Sequence, residues 1–216
     1  MKRINHILIA LCLPLLFSGQ VLAQHSGPYA GLFVGGSALM PAKGSNDQGD
    51  FSLKTKPGLA GSAVLGWDFA PGNPVGEGRV ELEYSRRSNP LDQVKFVEGS
   101  FKGGGNITAD SLLVNFIGVF HDTSRWSPYV GLGIGAARVE AASLKVGEWP
   151  MSNSSAVVLA YQVSGGIDFT LSEHVNLDLG YRLFSSSRPK LTDANGQKFE
   201  MDYLSHTAVF GVRVGF

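Results

Sequence analysis

Seven ionisable side chains recur at alternating positions of strand-like stretches, and their types are those that pair. Arg79, Glu81 and Glu83 share one parity of a short stretch, Asp178 and Arg182 share one parity of another, and Asp168 and Arg213 fall into the same pattern elsewhere. Asp68 would be an eighth. An arginine fork matches a carboxylate well, and charges are tolerated away from water only when paired. Gathered in one interior, these groups make a structural salt-bridge network. Left open to water, they line a narrow polar or proton pathway. Paired carboxylates also serve glycoside hydrolysis, but only in a cleft that admits a sugar. A second constellation is nucleophilic: His206 with Ser205, Asp202 and the serines Ser185, Ser186 and Ser187 are the residue types of an acyl hydrolase. Gly131-Leu132-Gly133-Ile134-Gly135-Ala136 has the glycine spacing of a dinucleotide fingerprint, which requires a following helix and a later acid. Small residues facing a crowded interior explain it better. His25, His121 and His174 are scattered and make no metal-ligand spacing, so no metal or cofactor is expected.

The chain that must position these groups has 216 residues, with 18 basic against 18 acidic and only 17% charged. Glycine is abundant, at 28 residues. The balanced charge, with no basic cluster, argues against nucleic acid as a partner. The apolar fraction of 44% is too high for a disordered chain. A single cysteine excludes a disulfide scaffold and a cysteine metal site.

The first 23 residues read as an address. Lys2 and Arg3 precede an apolar run from Ile7 to Phe17, and Val21-Leu22-Ala23 offers compact residues for cleavage after Ala23. That is the pattern of a secretory signal peptide over residues 1–23. A membrane anchor would need about 20 apolar residues. Cys12 lies inside the run and leaves with it. Residues 24–216 are then the exported domain.

This domain shows stretches of about ten residues in which apolar and polar positions alternate, separated by turn-rich segments, as expected of a membrane β-barrel. In 79–84, Arg79, Glu81 and Glu83 oppose Val80, Leu82 and Tyr84. In 176–183, Asn176, Asp178, Gly180 and Arg182 oppose Leu177, Leu179, Tyr181 and Leu183. In the last stretch, Ala208, Phe210, Val212, Val214 and Phe216 oppose Gly211, Arg213 and Gly215. Weaker alternation marks 57–70, 107–121, 127–139 and 155–170. Residues 28–37 make a first strand whose two faces are both apolar or glycine, so its facing stays open. The fold class is therefore all-β, an eight-stranded antiparallel up-and-down transmembrane β-barrel with charged groups inward. A soluble sandwich gives no reason for Trp67, Phe69, Phe120, Phe169 and Phe216 to gather at the short-turn end, where a membrane girdle is expected. Short connections fall near 71–76, 122–127 and 171–174. Long ones fall at 38–56, 87–106, 140–154 and 187–202 and are expected as extracellular loops, with Gly103-Gly104-Gly105 a flexible tip. Their charges are mixed: Lys43, Lys54 and Lys56 against Asp47 and Asp50, Arg87, Lys95 and Lys102 against Asp92 and Glu98, and Arg188, Lys190 and Lys198 against Asp193 and Glu200.

The ending from His206 to Phe216 resembles the closing strand of small outer-membrane β-barrel proteins, the opacity/surface-antigen and OmpA-like transmembrane barrels of Gram-negative bacteria. Ser127-Pro128-Tyr129-Val130-Gly131-Leu132-Gly133-Ile134-Gly135-Ala136 is similar to the family's fifth strand. Ala160-Tyr161-Gln162-Val163-Ser164-Gly165-Gly166-Ile167-Asp168-Phe169 is similar to its sixth. Phe210, Val212, Val214 and Phe216 resemble the signal read by the barrel-insertion machinery. The resemblance implies an outer-membrane location, contact with outer-membrane lipid and lipopolysaccharide, and no single activity. The chain stops at Phe216, where longer OmpA-like proteins continue into a peptidoglycan-binding domain, so that domain is not expected. Some relatives act on lipid A. Their deacylase pattern wants a His after Tyr-Arg, whereas Tyr181-Arg182-Leu183-Phe184 runs into Ser185. The expectation is a non-enzymatic surface protein with a filled lumen. Its loops 38–56, 87–106, 140–154 and 187–202 would serve envelope integrity or adhesion to a host or surface ligand. A narrow pore for ions or small apolar molecules, or a lipid A enzyme, is the alternative.

Overall fold

The computed structural model describes residues 27–46, 49–69, 77–120 and 125–216, and among these there is no helix. The leader expected over residues 1–23 lies outside them, as do His25, Asp47 and His121. The strands are β1 (Gly27–Leu39), β2 (Ala42–Asn46), β3 (Gly49–Thr55), β4 (Gly58–Phe69), β5 (Glu77–Phe96), β6 (Gly99–Val119), β7 (Trp126–Val146), β8 (Trp149–Thr170), β9 (Val175–Ser186), β10 (Lys190–Thr192), β11 (Lys198–Met201) and β12 (Tyr203–Gly215).

Eight of them close a ring in the order β5-β4-β1-β12-β9-β8-β7-β6, and β6 pairs back with β5. Every pairing is antiparallel. Closure leaves no edge in lipid, where an unpaired backbone group would go unsatisfied. β1 and β12 seal the ring from Tyr29↔Gly215 to Leu39↔Ser205.

Alternation decides what faces where. Val80, Leu82 and Tyr84 point out while Arg79, Glu81 and Glu83 are buried. On β7, Val130, Leu132 and Ile134 are exposed and Tyr129 is buried. The facing of β1, open in the sequence, is settled by packing. Tyr29, Phe33 and Ser37 turn inward, and Leu32 and Val34 are 70% and 68% exposed on the lipid side. Phe33 fits because Gly211 stands beside it: a Cβ there would lie 2.1 Å from the Phe33 ring. The apolar band on β7 runs from Trp126 to Ala136. Ten residue steps are roughly 33 Å along a strand and roughly 25 Å along the axis of a barrel tilted by about 40°, which is the height of a bilayer core. Trp67, Phe69, Phe120, Trp126 and Phe216 are exposed at its lower edge, and the Trp126 and Phe169 rings meet at 4.6 Å.

The four long segments are not loops. β5 and β6 continue past the band to a two-residue turn at Val97-Glu98, and β7 and β8 to one at Gly147-Glu148. The other four barrel strands break at the rim: at Met40-Pro41, Lys56-Pro57, Ser187-Arg188-Pro189 and Asp202. Proline has no N–H to give a ladder, so three of these breaks have a local cause. Beyond the breaks, β3 pairs with upper β5, β2 with β3, β11 with β2 and β10 with β11. A bridge from Asp193 to Ser152 joins this arm to β8. The result is a second ring of eight segments stacked on the first. Its interior is apolar, with Phe51, Leu53, Leu91, Val94, Leu144, Leu191, Phe199 and Met201 all buried. The alternation therefore persists above the rim with its polarity reversed. Lys54, Lys190 and Lys198 point out, while their strand neighbours Leu53, Leu191 and Phe199 point in.

Gly103-Gly104-Gly105, expected at a mobile tip, lies inside β6. Gly105 marks a bulge between Gly104 and Asn106, with φ +90°, and a Cβ there would approach the Ser143 carbonyl oxygen to 2.4 Å. Close backbone approach and a left-handed bend, rather than looseness, require this glycine.

Candidate functional site

The chemistry-bearing residues meet inside the membrane ring. At the lower level, Arg79 Nε donates to Asp68 Oδ2 at 3.0 Å and Arg79 Nη1 to Asp168 Oδ2 at 2.5 Å. Arg213 contacts the other oxygen of Asp168, and its Nε lies 3.8 Å from Asp178 Oδ2. Tyr129 donates to Asp178 Oδ1 at 3.0 Å, and Tyr29 donates to Glu81 Oε1 at 2.7 Å. One tier up, Glu83 accepts from Arg182 Nη1 at 2.5 Å through Oε1, and from Asn115 at 2.8 Å and Gln162 at 3.1 Å through Oε2. Arg182 also donates to Ser62 Oγ at 2.8 Å and lies over the Phe33 ring. All seven charged residues singled out in the sequence, with Asp68, are buried here. They come from β4, β5, β8, β9 and β12, so only barrel closure brings them together.

Sequence reasoning placed Arg87 among the loop charges. The structure buries it at the top of the network, where it donates to Ser85 Oγ at 2.8 Å, Ser111 Oγ at 3.2 Å and Gln162 Oε1 at 2.8 Å. Its guanidinium stacks on Phe184, 4.1 Å from the ring centroid, an arrangement that favours a desolvated cation. The signal was present: Arg79, Glu81, Glu83, Ser85 and Arg87 hold one parity without interruption. Tyr29, Asn115, Tyr129 and Gln162 complete the network as neutral donors.

The tiers leave little room. Between Phe33, Glu81, Glu83, Tyr129, Arg182 and Arg213 the free space is about 10 Å³, about that of one water. The glycines Gly131, Gly133 and Gly135 face this crowded interior on β7 and precede no helix, so the dinucleotide requirement is unmet.

The acyl-hydrolase candidates are not assembled. Ser205 faces the interior and is fully buried, whereas His206 faces outward. His206 Nδ1 is engaged by the Tyr181 hydroxyl. Asp202 pairs with Arg188 Nε at 2.8 Å. Ser185 shares the outer face with His206 but donates to the Tyr203 carbonyl oxygen at 3.1 Å. Ser186 donates to the Ser187 carbonyl oxygen. Among the described residues no three His, Cys, Asp or Glu side chains form a metal-binding group.

The C-terminal residues Phe210, Val212, Val214 and Phe216 form one outward row, and the Phe216 N–H donates to the Pro28 carbonyl oxygen at 3.1 Å.

A closed ring with a lipid-facing apolar band, an aromatic lower girdle and a charged interior defines an outer-membrane β-barrel. The chain belongs to the outer membrane protein β-barrel domain family, which matches residues 9–216. Its place is the outer membrane of a Gram-negative cell. Among solved structures it is similar to Neisserial surface protein A, at 21% identity and TM-score 0.54, covering 88% of this chain and 98% of that one. It is also similar to outer membrane protein OprG from Pseudomonas aeruginosa, at 13% identity and TM-score 0.56, covering 91% and 100%. A more distant match is the outer membrane protease OmpT from Escherichia coli, at 11% identity and TM-score 0.48, covering 88% and 97%. The first two likenesses establish the fold, and a fold by itself assigns no activity. No curated protein sequence matches the chain.

Proposed function

We propose that this protein is a non-enzymatic surface protein: a membrane ring with a side-chain-filled lumen that holds a folded β-head outside the cell, for envelope integrity or for adhesion to a surface ligand. The observation that carries this is the contrast in free space. The charged lumen leaves about 10 Å³, while the outer wall of the head holds a pocket of about 430 Å³. Binding surface lies on the head, and the barrel is its anchor. Arg79, Glu81, Glu83, Asp168, Asp178, Arg182 and Arg213 then have a structural role, each charge held by an opposite one or by a neutral donor. In the same account, residues 1–23 are a leader cleaved after Ala23. The outward row Phe210, Val212, Val214 and Phe216 is what the barrel-insertion machinery reads.

The test compares the lipid A mass spectrum of cells with and without this protein, together with single-channel recording of the purified barrel. An unchanged spectrum and no steady conductance are expected. A lost acyl chain would make the protein a lipid A enzyme, and a stable ohmic conductance would make it a pore.

A further inference from the structure

The tip of the β7–β8 hairpin carries an unmatched tryptophan. Trp149 pairs across the hairpin with Val146, which lies ten residue steps above Ala136, where the apolar band ends. That is roughly 25 Å beyond the hydrocarbon layer, whereas headgroups add only about 5–8 Å on each side. Trp67 and Trp126 are half exposed at the lower edge, where lipid covers them. Trp149 has no lipid at its height. It is 80% exposed and meets no other ring among the described residues. A large ring held out in water at the end of a hairpin is a knob waiting for a partner surface.

A socket lies just below this knob on the outer wall. It is a pocket of about 400 Å³ whose lining includes Ser143, Leu144, Lys145, Pro150, Asn153 and Thr192. A double bulge shapes it. The β7–β8 register slips between Ala141 and Leu144 and again between Leu144 and Lys145. Ser143 is held there at φ 49°, the one non-glycine residue with a positive φ among the described residues, and its N–H donates to Asn153 Oδ1 at 3.2 Å. Such a conformation persists only where the surroundings fix it. The charges are placed with the same economy: Glu148 stands beside the knob and Lys145 lines the socket. Neither makes an ion pair among the described residues, unlike Arg188 with Asp202 or Lys190 with Glu200.

We propose that Trp149 of one copy enters the socket of a second copy standing in a facing membrane, so that the protein joins cells that carry it. The heights decide this orientation. The middle of the socket, level with Ser152, lies about three residues or roughly 10 Å below Trp149. Two copies in one membrane hold both knobs at one level and both sockets at another, so no knob meets a socket. Two copies in facing membranes, related by a two-fold axis parallel to those membranes, bring both knobs to both sockets at once. The same rotation carries Glu148 of each copy towards Lys145 of the other. The indole is buried against Leu144 and Pro150, and its N–H reaches the Asn153 side chain or the Thr192 hydroxyl. Tryptophan in a pocket is the residue type that anchors interfaces. One such pair is small, and many pairs between two membranes add by avidity. The pairing rests on the surface-protein account for the side of the membrane on which the head stands, and it gives that account a partner, a second copy of this chain.

The experiment places the whole barrel in phosphatidylcholine vesicles of two colours, with outward heads counted by a membrane-impermeant amine reagent. Clustering is read as two-colour coincidence on single particles. Wild-type populations cluster, and Trp149→Ala lowers the clustered fraction about tenfold at equal head density. The control Lys198→Gln, exposed outside knob and socket, clusters like the wild type. Lys145→Glu and Glu148→Lys each cluster poorly alone, because like charges then face each other across the axis. Mixed with one another they cluster again, because every charge meets its opposite, and a merely damaged head would not recover in this way. No wild-type clustering with heads outside, Trp149→Ala clustering like the wild type, or a mixture no better than its parts overturns the proposal. An unshifted gel mobility of the folded barrel in each variant guards against misfolding. A conductance or a lipid A change would overturn the surface-protein account while leaving vesicle clustering unaffected, so the two failures are distinguishable.

Discussion

The two stacked rings share four strands and reverse each other's polarity. In the membrane ring, Arg79, Glu83, Asp168 and Arg213 are buried while Leu32, Leu65 and Leu132 are exposed. In the head, Leu53, Val94, Phe199 and Met201 are buried while Lys54, Lys95 and Lys198 face water. The same period of two serves both. What changes is the solvent outside, lipid below the rim and water above it, and the outward side chains follow it. The interior then takes what remains. A lumen of eight strands fills with side chains either way, with ion pairs below and an apolar core above. Arg87 and Phe184 mark the junction, a cation stacked on the first ring of the apolar core.

The contrast can be broken from either side. The largest effect is expected at Asp168→Leu. It removes a carboxylate shared by two buried guanidinium groups, leaving Arg79 with Asp68 and Arg213 with Asp178 at 3.8 Å, and costs about 3 kcal/mol. A urea titration followed by folded-barrel gel mobility reads it, and a cost under 1 kcal/mol would mean that water hydrates the lumen. Next is Phe199→Ala in the head, where Phe199 packs edge-on against Phe51 at 5.7 Å. The expected cost is about 3 kcal/mol, confined to the head. Limited proteolysis should cut within 38–56 and 187–202 while the membrane ring keeps its gel shift. Simultaneous loss of both rings would show that they fold as one unit. The smallest is Arg188→Ala, which breaks an exposed pair with Asp202 and should cost less than about 1 kcal/mol. The same urea midpoint checks it.

Much of the lower ring was legible in sequence because lipid demands apolar side chains at every outward position. The parities of 79–84, 176–183 and 208–216 therefore announce both the strands and the side that charges occupy. The tiers were less legible. That Arg79 meets Asp168 and Arg182 meets Glu83 depends on the register and stagger of distant strands, which no local pattern carries. The head was missed for a different reason. Phe51-Ser52-Leu53-Lys54 and Lys198-Phe199-Glu200-Met201 do alternate. Their outward residues are the lysines, serines and acids of ordinary loops, and β2, β3, β10 and β11 are each only three to seven residues long. Short polar alternation between prolines looks like irregular chain until a neighbouring strand is there to pair with it. The hydrolase candidates show the opposite error: Ser205 and His206 are adjacent in sequence and therefore on opposite faces of a strand.

A folded head, not a set of free loops, stands on a plugged membrane ring. Amide hydrogen exchange of the protein in bilayers tests it most directly, read over 91–96, 99–104 and 144–152. These strands should show protection persisting for hours, approaching that of 111–117 in the membrane ring, with fast exchange confined to the turns at Val97-Glu98 and Gly147-Glu148. Exchange across all three segments at the rate of an unstructured chain would contradict it.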